Sequence, residues 1–398
     1  MTRIITTSFI LIVLFQLTAM AQQNVQDSLL HQDYQRKYIV HLPSGYTGDT
    51  AVAAVLTLHG GSGDMYNVQG FTQMNNASNQ KGFLAVYPQG IGEAPPGYSW
   101  ADGRGTTADD AGIDDVGFLD KLIDKLADDY NVDKLRVYVC GFSNGGFMTQ
   151  RLACELSDHF AAIGGLGCSL DSTLYANCSP STPVPMMYVS GTNDPEVPYN
   201  GGYMNNPAVE PIVAVEDAVQ YWEDHNNCST EEPVVNIPDY IEDDSSTVDM
   251  YDYTDCDAGV MVRFFKVNNG GHTWPGVEIP DMEPLLGETN EDIHASFQLW
   301  NFFKEYSLSE IPTEIDEAEK LNYEISVYPN PLTDNLILES SEYFQNFYIY
   351  NNTGILLNSG KIALKKREVV DVSDLSKGFY ILKMVLEDNS IVTRKLVK

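Results

Sequence analysis

The sequence predicts an α/β chain: a mostly parallel sheet with helices on both faces, followed by a small C-terminal all-β sandwich. Two observations carry this. Between residues 51 and 306, short continuous apolar runs alternate with amphipathic helical segments, which is the pattern of strands buried on both faces. Beyond residue 322 helical periodicity stops. Short segments then alternate with period two between turns such as Asn351-Asn352-Thr353-Gly354 and Ser376-Lys377-Gly378.

Taken in order, Arg36 to Leu42 alternates like an edge strand. Ala51 to His59 has the unbroken apolar character of a central strand and ends in the turn His59-Gly60-Gly61-Ser62-Gly63-Asp64. A polar helix toward Lys81 and a strand over Phe83 to Tyr87 follow. Pro88 to Gly112 is a long Gly/Pro loop carrying Tyr98 and Trp100, and loops of this length inside compact domains are usually functional or mobile. Asp114-Asp115 opens a helix with Phe118, Leu119, Leu122 and Leu126 on one face, the acids suiting its N-terminus. Leu135 to Cys140, Phe160 to Leu166, Val184 to Ser190 and Val260 to Val267 read as strands. Val213 to Asn226 and Asp292 to Tyr306 read as helices. The expected organisation is a signal segment over 1–21, an α/β domain over 22–308, an acidic linker over 309–322 and the β module over 323–398.

The signal expectation rests on Arg3, the apolar run Phe9 to Leu17 and the small-residue site Ala19-Met20-Ala21. That run is too short to span a membrane, and no other apolar run approaches about 20 residues. An exported chain folds where disulfides form, and its six cysteines are an even number. Cys168 and Cys178 flank a short polar loop, and Cys228 and Cys256 a long acidic one, so these are the expected bridges. Cys140 and Cys154 are left open, either paired or buried as thiols. The net charge of −33 is unevenly spread: residues 322–398 hold nine Lys/Arg against nine Asp/Glu, and the remainder holds 14 against 47. Such a surface repels nucleic acid and anionic lipid. No Cys/His cluster has zinc spacing. Neither Asp109, Asp110, Asp114 and Asp115 nor Glu242 to Asp257 has the spacing of a calcium loop, so no metal or other cofactor is expected.

The chemistry centres on Val137-Tyr138-Val139-Cys140-Gly141-Phe142-Ser143-Asn144-Gly145-Gly146. A strand runs into Gly-x-Ser-x-Gly, and a helix with Met148, Leu152 and Leu156 on one face runs out. This is the form of a nucleophile elbow, whose strained turn holds a serine out at the carboxyl end of a sheet. A serine nucleophile needs a base, an acid to orient the base, and donors for the oxyanion. Of seven histidines, His272 lies in a rigid turn, Asn268 to Gly276, just after a strand. Asp194 lies in the equivalent place after Val184 to Ser190. The order Ser143, Asp194, His272, each after its own strand, is that of the α/β-hydrolases. The Asn144 amide and an amide of Gly61 or Ser62 are the expected oxyanion donors, with His59 positioning the glycine turn. Trp274, Trp100 and Tyr98 are the candidate substrate walls.

These blocks together resemble a known family. His59-Gly60-Gly61, Arg136 to Val139 with Gly141 to Gly146, Phe160 to Ile163, Ser190 to Tyr199 and Gly270 to Gly276 are similar to the polyhydroxybutyrate depolymerase and feruloyl esterase family of α/β-hydrolases, over roughly residues 34–306. The resemblance implies a serine carboxylesterase with Ser143, Asp194 and His272 as its triad, and it supports the Cys228–Cys256 bridge. The chain departs from it at Ser190-Gly191, where many relatives have His-Gly, and at Tyr98-Ser99-Trp100. In the C-terminal module, Val327 to Pro331, Asp371 to Tyr380 and the ending Lys395 to Lys398 resemble a type IX secretion sorting domain. That implies an extracellular or outer-membrane-surface location and the type IX secretion machinery as a partner. The expected protein is a secreted, monomeric ester hydrolase without a large lid. Its open cleft suits an ester carried on a polymer, either a feruloyl or acetyl ester of plant polysaccharide or a polyester. The alternatives are a serine peptidase on the same fold and a non-catalytic surface-binding protein.

Overall fold

The computed structural model describes residues 23–94, 97–204, 209–278, 283–308, 325–351, 356–386 and 391–398. The expected signal segment over 1–21 and linker over 309–322 lie outside them. The chain separates into two compact units, Met1–Glu310 and Ile311–Lys398.

The first unit opens with a hairpin of β1 (Gln23–His31) and β2 (Tyr34–Leu42), then β3 (Val52–Leu58). Helices α1 (Met65–Thr72) and α2 (Met74–Lys81) lead to β4 (Leu84–Pro88). The long loop holds a short hairpin, β5 (Gly92–Ala94) with β6 (Gly97–Ser99), and the single turn α3 (Thr107–Asp110). Next come α4 (Asp115–Tyr130), β7 (Val132–Phe142), α5 (Asn144–Glu155), β8 (Ala162–Leu166), α6 (Ser172–Asn177) and β9 (Met186–Gly191). After α7 (Val215–His225), two short strands, β10 (Thr230–Glu231) and β11 (Val235–Asn236), precede β12 (Thr247–Thr254) and β13 (Val262–Asn268). The unit ends with α8 (Glu283–Leu286) and α9 (Ala295–Phe303).

Among the described residues these strands form one eleven-stranded sheet in the order β1-β2-β4-β3-β7-β8-β9-β13-β12-β10, with β11 also on β12. The six strands from β4 to β13 are parallel, and the pairings outside them are antiparallel. Alternate residues of each central strand serve opposite faces. Val137 and Val139 of β7 join the core beneath α4, α5 and α7, where Leu119, Leu122, Leu152 and Trp222 are buried. Tyr138 and Cys140 join the core beneath α1, α2 and α9, with Val68, Ala77, Leu299 and Phe303. A strand sandwiched in this way has no polar face, which is why its sequence is an unbroken apolar run.

Three expectations are corrected. Arg36 to Leu42 is not an edge: β1 pairs along its whole length, from Gln23 opposite Leu42 to His31 opposite Tyr34. The expected polar helix toward Lys81 is two helices, broken where Gln73 takes φ 53°. The bridge expected between Cys168 and Cys178 does not form. Cys178, at the end of α6, bonds instead to Cys154 near the end of α5, while Cys228–Cys256 is present and Cys140 and Cys168 are free. Cys168 points inward beneath the start of α5, so close that a Cβ on Gly146 would lie 2.9 Å from its Sγ. A thiol seated there is enclosed in the core, and Cys178 is already bonded to Cys154.

The second unit is antiparallel throughout: β14 (Ile325–Tyr328), β15 (Asn335–Asn351), β16 (Leu356–Asp371), β17 (Phe379–Leu386) and β18 (Ile391–Val397). Among the described residues its strands pair into one five-stranded antiparallel sheet. Bulges between Glu339 and Asn346 bend β15, so its first half pairs with β14 and its second with β17, while β16 follows it on the other side. Leu336, Leu338, Phe344, Ile349, Leu382, Met384 and Leu396 make its core.

Non-reducing peptide mapping should return Cys154–Cys178 and Cys228–Cys256, and a Cys168–Cys178 peptide would contradict this fold. Burial pushes the Cys140 thiol up to about 12 and that of Cys168 upward as well. Both should therefore resist alkylation in the native state and react after unfolding. Replacing Cys228 and Cys256 by serine should cost about 3 kcal/mol in a denaturant titration.

Candidate active site

Ser143 joins β7 to α5 with φ 54° and ψ −121°, a conformation that costs a non-glycine residue about 1–3 kcal/mol. Two glycines make the turn possible. A Cβ on Gly141 would stand 2.2 Å from the Gly145 carbonyl oxygen, and one on Gly145 would stand 2.5 Å from the carbonyl oxygens of Leu58 and His59. The turn is tied down by Ser143 N donating to Leu166 O at 2.9 Å and Phe147 N to Ser143 O at 2.9 Å.

His272 and Asp194 meet from neighbouring parallel strands. Asp194 follows β9, and its Oδ1 accepts from the Glu196 and Val197 amides at 2.8 and 2.7 Å. Its Oδ2 accepts from His272 Nδ1 at 2.7 Å, and both side chains are buried. Because the carboxylate accepts, Nδ1 carries the proton, and Nε2 is left with a lone pair. The His272 loop is held by Asn193 N to Gly270 O at 2.9 Å, Gly271 N to Glu288 O at 2.8 Å and His272 N to Leu286 O at 2.6 Å. The ring of Phe142, the residue before Ser143, lies 4.6 Å from the imidazole. That contact brings the elbow and the His272 loop together. No hydrogen bond joins Ser143 Oγ to His272 among the described residues, and such bonds commonly tighten only when substrate arrives.

The turn after β3 faces the elbow across a narrow gap. A Cβ on Gly60 would lie 3.3 Å from Ser143 Cβ, and one on Gly61 would lie 3.7 Å from Asn144 Cβ. Gly63 N closes the turn on Gly60 O at 3.1 Å, and Ser62 takes φ 59°. Among the described residues, the Gly61 and Ser62 amides donate to no protein acceptor. Asn144 N–H is an orphan donor at the start of α5, where the helix dipole favours an anion. His59 braces this turn. Gly90 N donates to its Nε2 at 3.0 Å, so its Nδ1 carries the proton and donates to Gly60 O at 2.8 Å.

Two of the three expected substrate walls are structural. Trp100 is fully buried, with Nε1 donating to His59 O at 3.0 Å. Trp274 is fully buried too, donating to Ser296 Oγ at 3.2 Å and packing edge-on to Phe71 and Phe142. Each indole N–H finds a partner inside, the usual condition for burying tryptophan. Tyr98 is 42% exposed, and its backbone pairs with Gly63 beside the glycine turn. A cavity of about 460 Å³ borders Asp194, lined by Asn193, Pro198, Tyr199, Asn200 and Leu285 among others. The acidic residues after Trp100 serve separate local ends. Asp109 closes a capping box with Thr106, Asp114 caps α4 and meets His31, and Asp115 pairs with Arg36.

Sequence reasoning missed Asp102 and Arg104. Both are buried, and Asp102 accepts from the Asn144 side chain and from Arg104. No motif announces them, because their partners come from a different strand-helix turn.

Burial holds His59 down at about 4, so the ring is neutral in the fold. Between pH 4 and 6.5 the unfolded chain binds a proton here that the folded chain refuses. Stability contributed by the neutral ring is therefore complete above about pH 6.5 and falls on acidification, by about 3 kcal/mol across that window. Thermal melts should show the fall. His59→Gln, which can accept from Gly90 N but does not titrate, should flatten the slope between pH 4 and 6.5.

Residues 46–242, which include Ser143 and Asp194 but stop short of His272, match the phospholipase/carboxylesterase family model. Residues 326–398 match the secretion system C-terminal sorting domain. Feruloyl esterase B of Piromyces equi is 32% identical over 241 residues, 60% of this chain and 42% of that protein. A bifunctional acetylxylan esterase/xylanase of Neocallimastix patriciarum is 26% identical over 272 residues, 68% of this chain and 36% of that protein. The chain thus spans less than half the length of these two relatives. Among solved structures, acetyl xylan esterase from Aspergillus awamori is similar with a TM-score of 0.45 at 15% identity, covering 66% of this chain and 98% of that one. The chain therefore carries a phospholipase/carboxylesterase family match over residues 46–242 and a secretion system C-terminal sorting domain match over residues 326–398.

Proposed function

We propose that the first unit is a serine carboxylic-ester hydrolase, with Ser143 as nucleophile, His272 as base and Asp194 holding the imidazole in its tautomer. The observation that carries this is the buried Asp194–His272 pair at 2.7 Å, seated on the ring of the residue that precedes the strained Ser143. Ser143 Oγ attacks the ester carbonyl and passes its proton to His272 Nε2. The oxyanion is taken up by the Asn144 amide and by an amide of Gly61 or Ser62, each such donor supplying about 2.7–4 kcal/mol in the transition state. His272 then protonates the leaving alcohol, and a water deprotonated by the same ring releases the acid.

The substrate class is a feruloyl or acetyl ester of plant polysaccharide. Its support is the kind of protein the chain resembles, namely feruloyl and acetylxylan esterases. Polyesters remain the second class the open cleft suits. Tyr98, beside the glycine turn, and Tyr199, in the cavity bordering Asp194, are aromatic side chains available to line the acyl or sugar site. The sorting domain marks the chain for export, where such polymers are met.

Ser143→Ala should abolish turnover of an aryl ester and labelling by a fluorophosphonate while leaving the melting temperature within a few degrees. Persisting turnover would remove Ser143 from the mechanism. In a panel of methyl ferulate, acetylated xylan and a polyester film, one of the first two should be the best substrate, and preference for the film would overturn the polysaccharide assignment. Cleavage of peptide amides without cleavage of aryl esters would make the protein a peptidase.

A further inference from the structure

The segment Gly97–Arg104 touches both halves of the oxyanion site at once. On one side it holds the glycine turn. Tyr98 N donates to Gly63 O at 2.9 Å, and Trp100 Nε1 donates to His59 O at 3.0 Å. Gly97 lies so close that a Cβ there would stand 2.3 Å from Ser62 O. On the other side it holds the residue after the nucleophile. Trp100 N donates to Asn144 Oδ1 at 2.7 Å, while Asn144 Nδ2 donates to Asp102 Oδ2 at 2.5 Å and Trp100 O at 3.3 Å. Every hydrogen-bonding direction of the Asn144 amide group but one is thereby used, so its side chain has a single orientation.

Asp102 is anchored in turn. It is 1% exposed, and Arg104 closes on it with its backbone N–H, Nε and Nη2 at 3.1, 3.0 and 2.6 Å. The Arg104 guanidinium lies 3.6 Å over the ring of Phe147, one turn along α5. Between these contacts, Ala101 N donates to Asp115 Oδ2 at 2.7 Å and Ala101 O accepts from Arg151 Nη1 at 2.7 Å. Asp115 is itself paired with Arg36. A buried loop whose polar groups are paired at both ends is held in one arrangement, because a shift would leave buried polar groups unpaired.

We infer that Gly97–Arg104 is a staple that sets the spacing between the two oxyanion donors, and that Asp102 is the positioning residue fixing the staple to the nucleophile turn through Asn144. Asp102 touches no reacting atom. It acts by holding the Asn144 backbone amide where the oxyanion forms, and the Ser62 side of the site at the matching distance.

The inference rests on the Ser143 mechanism proposed above, so Ser143→Ala is measured first. Residual activity there sinks the mechanism whatever Asp102 does. With Ser143 essential, Asp102→Ala should lower kcat on an aryl ester by about 10²-fold, the loss associated with one oxyanion donor, with KM changed less than twofold. The rate of fluorophosphonate labelling should fall by a similar factor, and the pH profile of kcat should keep its midpoint, since the Asp194–His272 pair is untouched. Asn144→Asp sets two carboxylates against each other and should be at least as damaging. Combining it with Asp102→Asn restores one donor and one acceptor, and should recover about tenfold over Asn144→Asp. If Asp102→Ala does not fold, Trp100→Phe, which removes the bond to His59 O together with part of the buried ring packed on His59, should lower kcat by about tenfold at constant KM. Unchanged kcat in the folded variants, a rise in KM matching the loss, or a shifted pH midpoint would each overturn the assignment.

Discussion

The structure depends on one close approach, that of the end of β3 to the elbow between β7 and α5. Gly145 lies against the carbonyl oxygens of Leu58 and His59, with no room for a Cβ of its own. The parallel pairing of β3 with β7, in register from Ala54 opposite Val137 to Leu58 opposite Gly141, brings those carbonyls to the elbow. The same register carries the chain after Leu58 over Ser143 and Asn144, so the glycine turn faces Ser143 as a consequence of strand pairing. The strain at Ser143 is therefore not borne locally. A strand packed on both faces, with β3 on one side and β8 on the other, holds it, and burial of a single Val or Leu side chain, worth about 1.5–3 kcal/mol, is as large as the strain.

Parallel pairing explains the rest of the site in the same way. The carboxyl ends of β7, β9 and β13 lie along one edge of the sheet, and each delivers one side chain there. β9 and β13 are neighbours, in register to Gly191 opposite Val267, so the loops that follow them start side by side. Thr192 N bonds to Val267 O and Asn193 N to Gly270 O, which locks the Asp194 turn to the His272 loop before either side chain is placed. Gly191 and Gly271 sit against opposing backbone, and a Cβ on either would fall 2.1–2.2 Å from a carbonyl oxygen. The Asp194–His272 pair is thus positioned by main chain and only then closed by its hydrogen bond.

What could be seen in the sequence follows from what is local. Central strands such as β3 and β7 show as apolar runs because both faces are buried, and the elbow shows because its glycines are required by the turn itself. β1 did not show: Gln23–His31 is mostly polar and only partly buried, and it is a strand only because β2 offers an edge. The break at Gln73 is marked by no glycine or proline at the break itself. Trp100 and Trp274 are the kind of residue that walls a pocket or fills a core with equal ease, and the difference lay in acceptors 41 and 22 residues away, His59 O and Ser296 Oγ. The pairing of Cys154 with Cys178 depends on where α5 and α6 end in space, and spacing along the chain carries no such information.

The long loop after β4 illustrates why its length alone misled. A loop of that size beside a nucleophile suggested contact with substrate, yet most of its side chains turn inward and bond to the sheet's own turns. Buried ion pairs such as Asp102–Arg104 and Arg36–Asp115 are poor devices for stability, since apolar side chains of equal volume commonly do as well or better. What they supply is direction. An oxyanion donor displaced by a fraction of an ångström loses much of its effect, and apolar packing does not fix a backbone amide to that tolerance. A loop dense in buried, saturated polar contacts next to strained backbone therefore makes physical sense where geometry is worth more than stability. The short stretch from Gly97 to Arg104 meets that description on both of its sides.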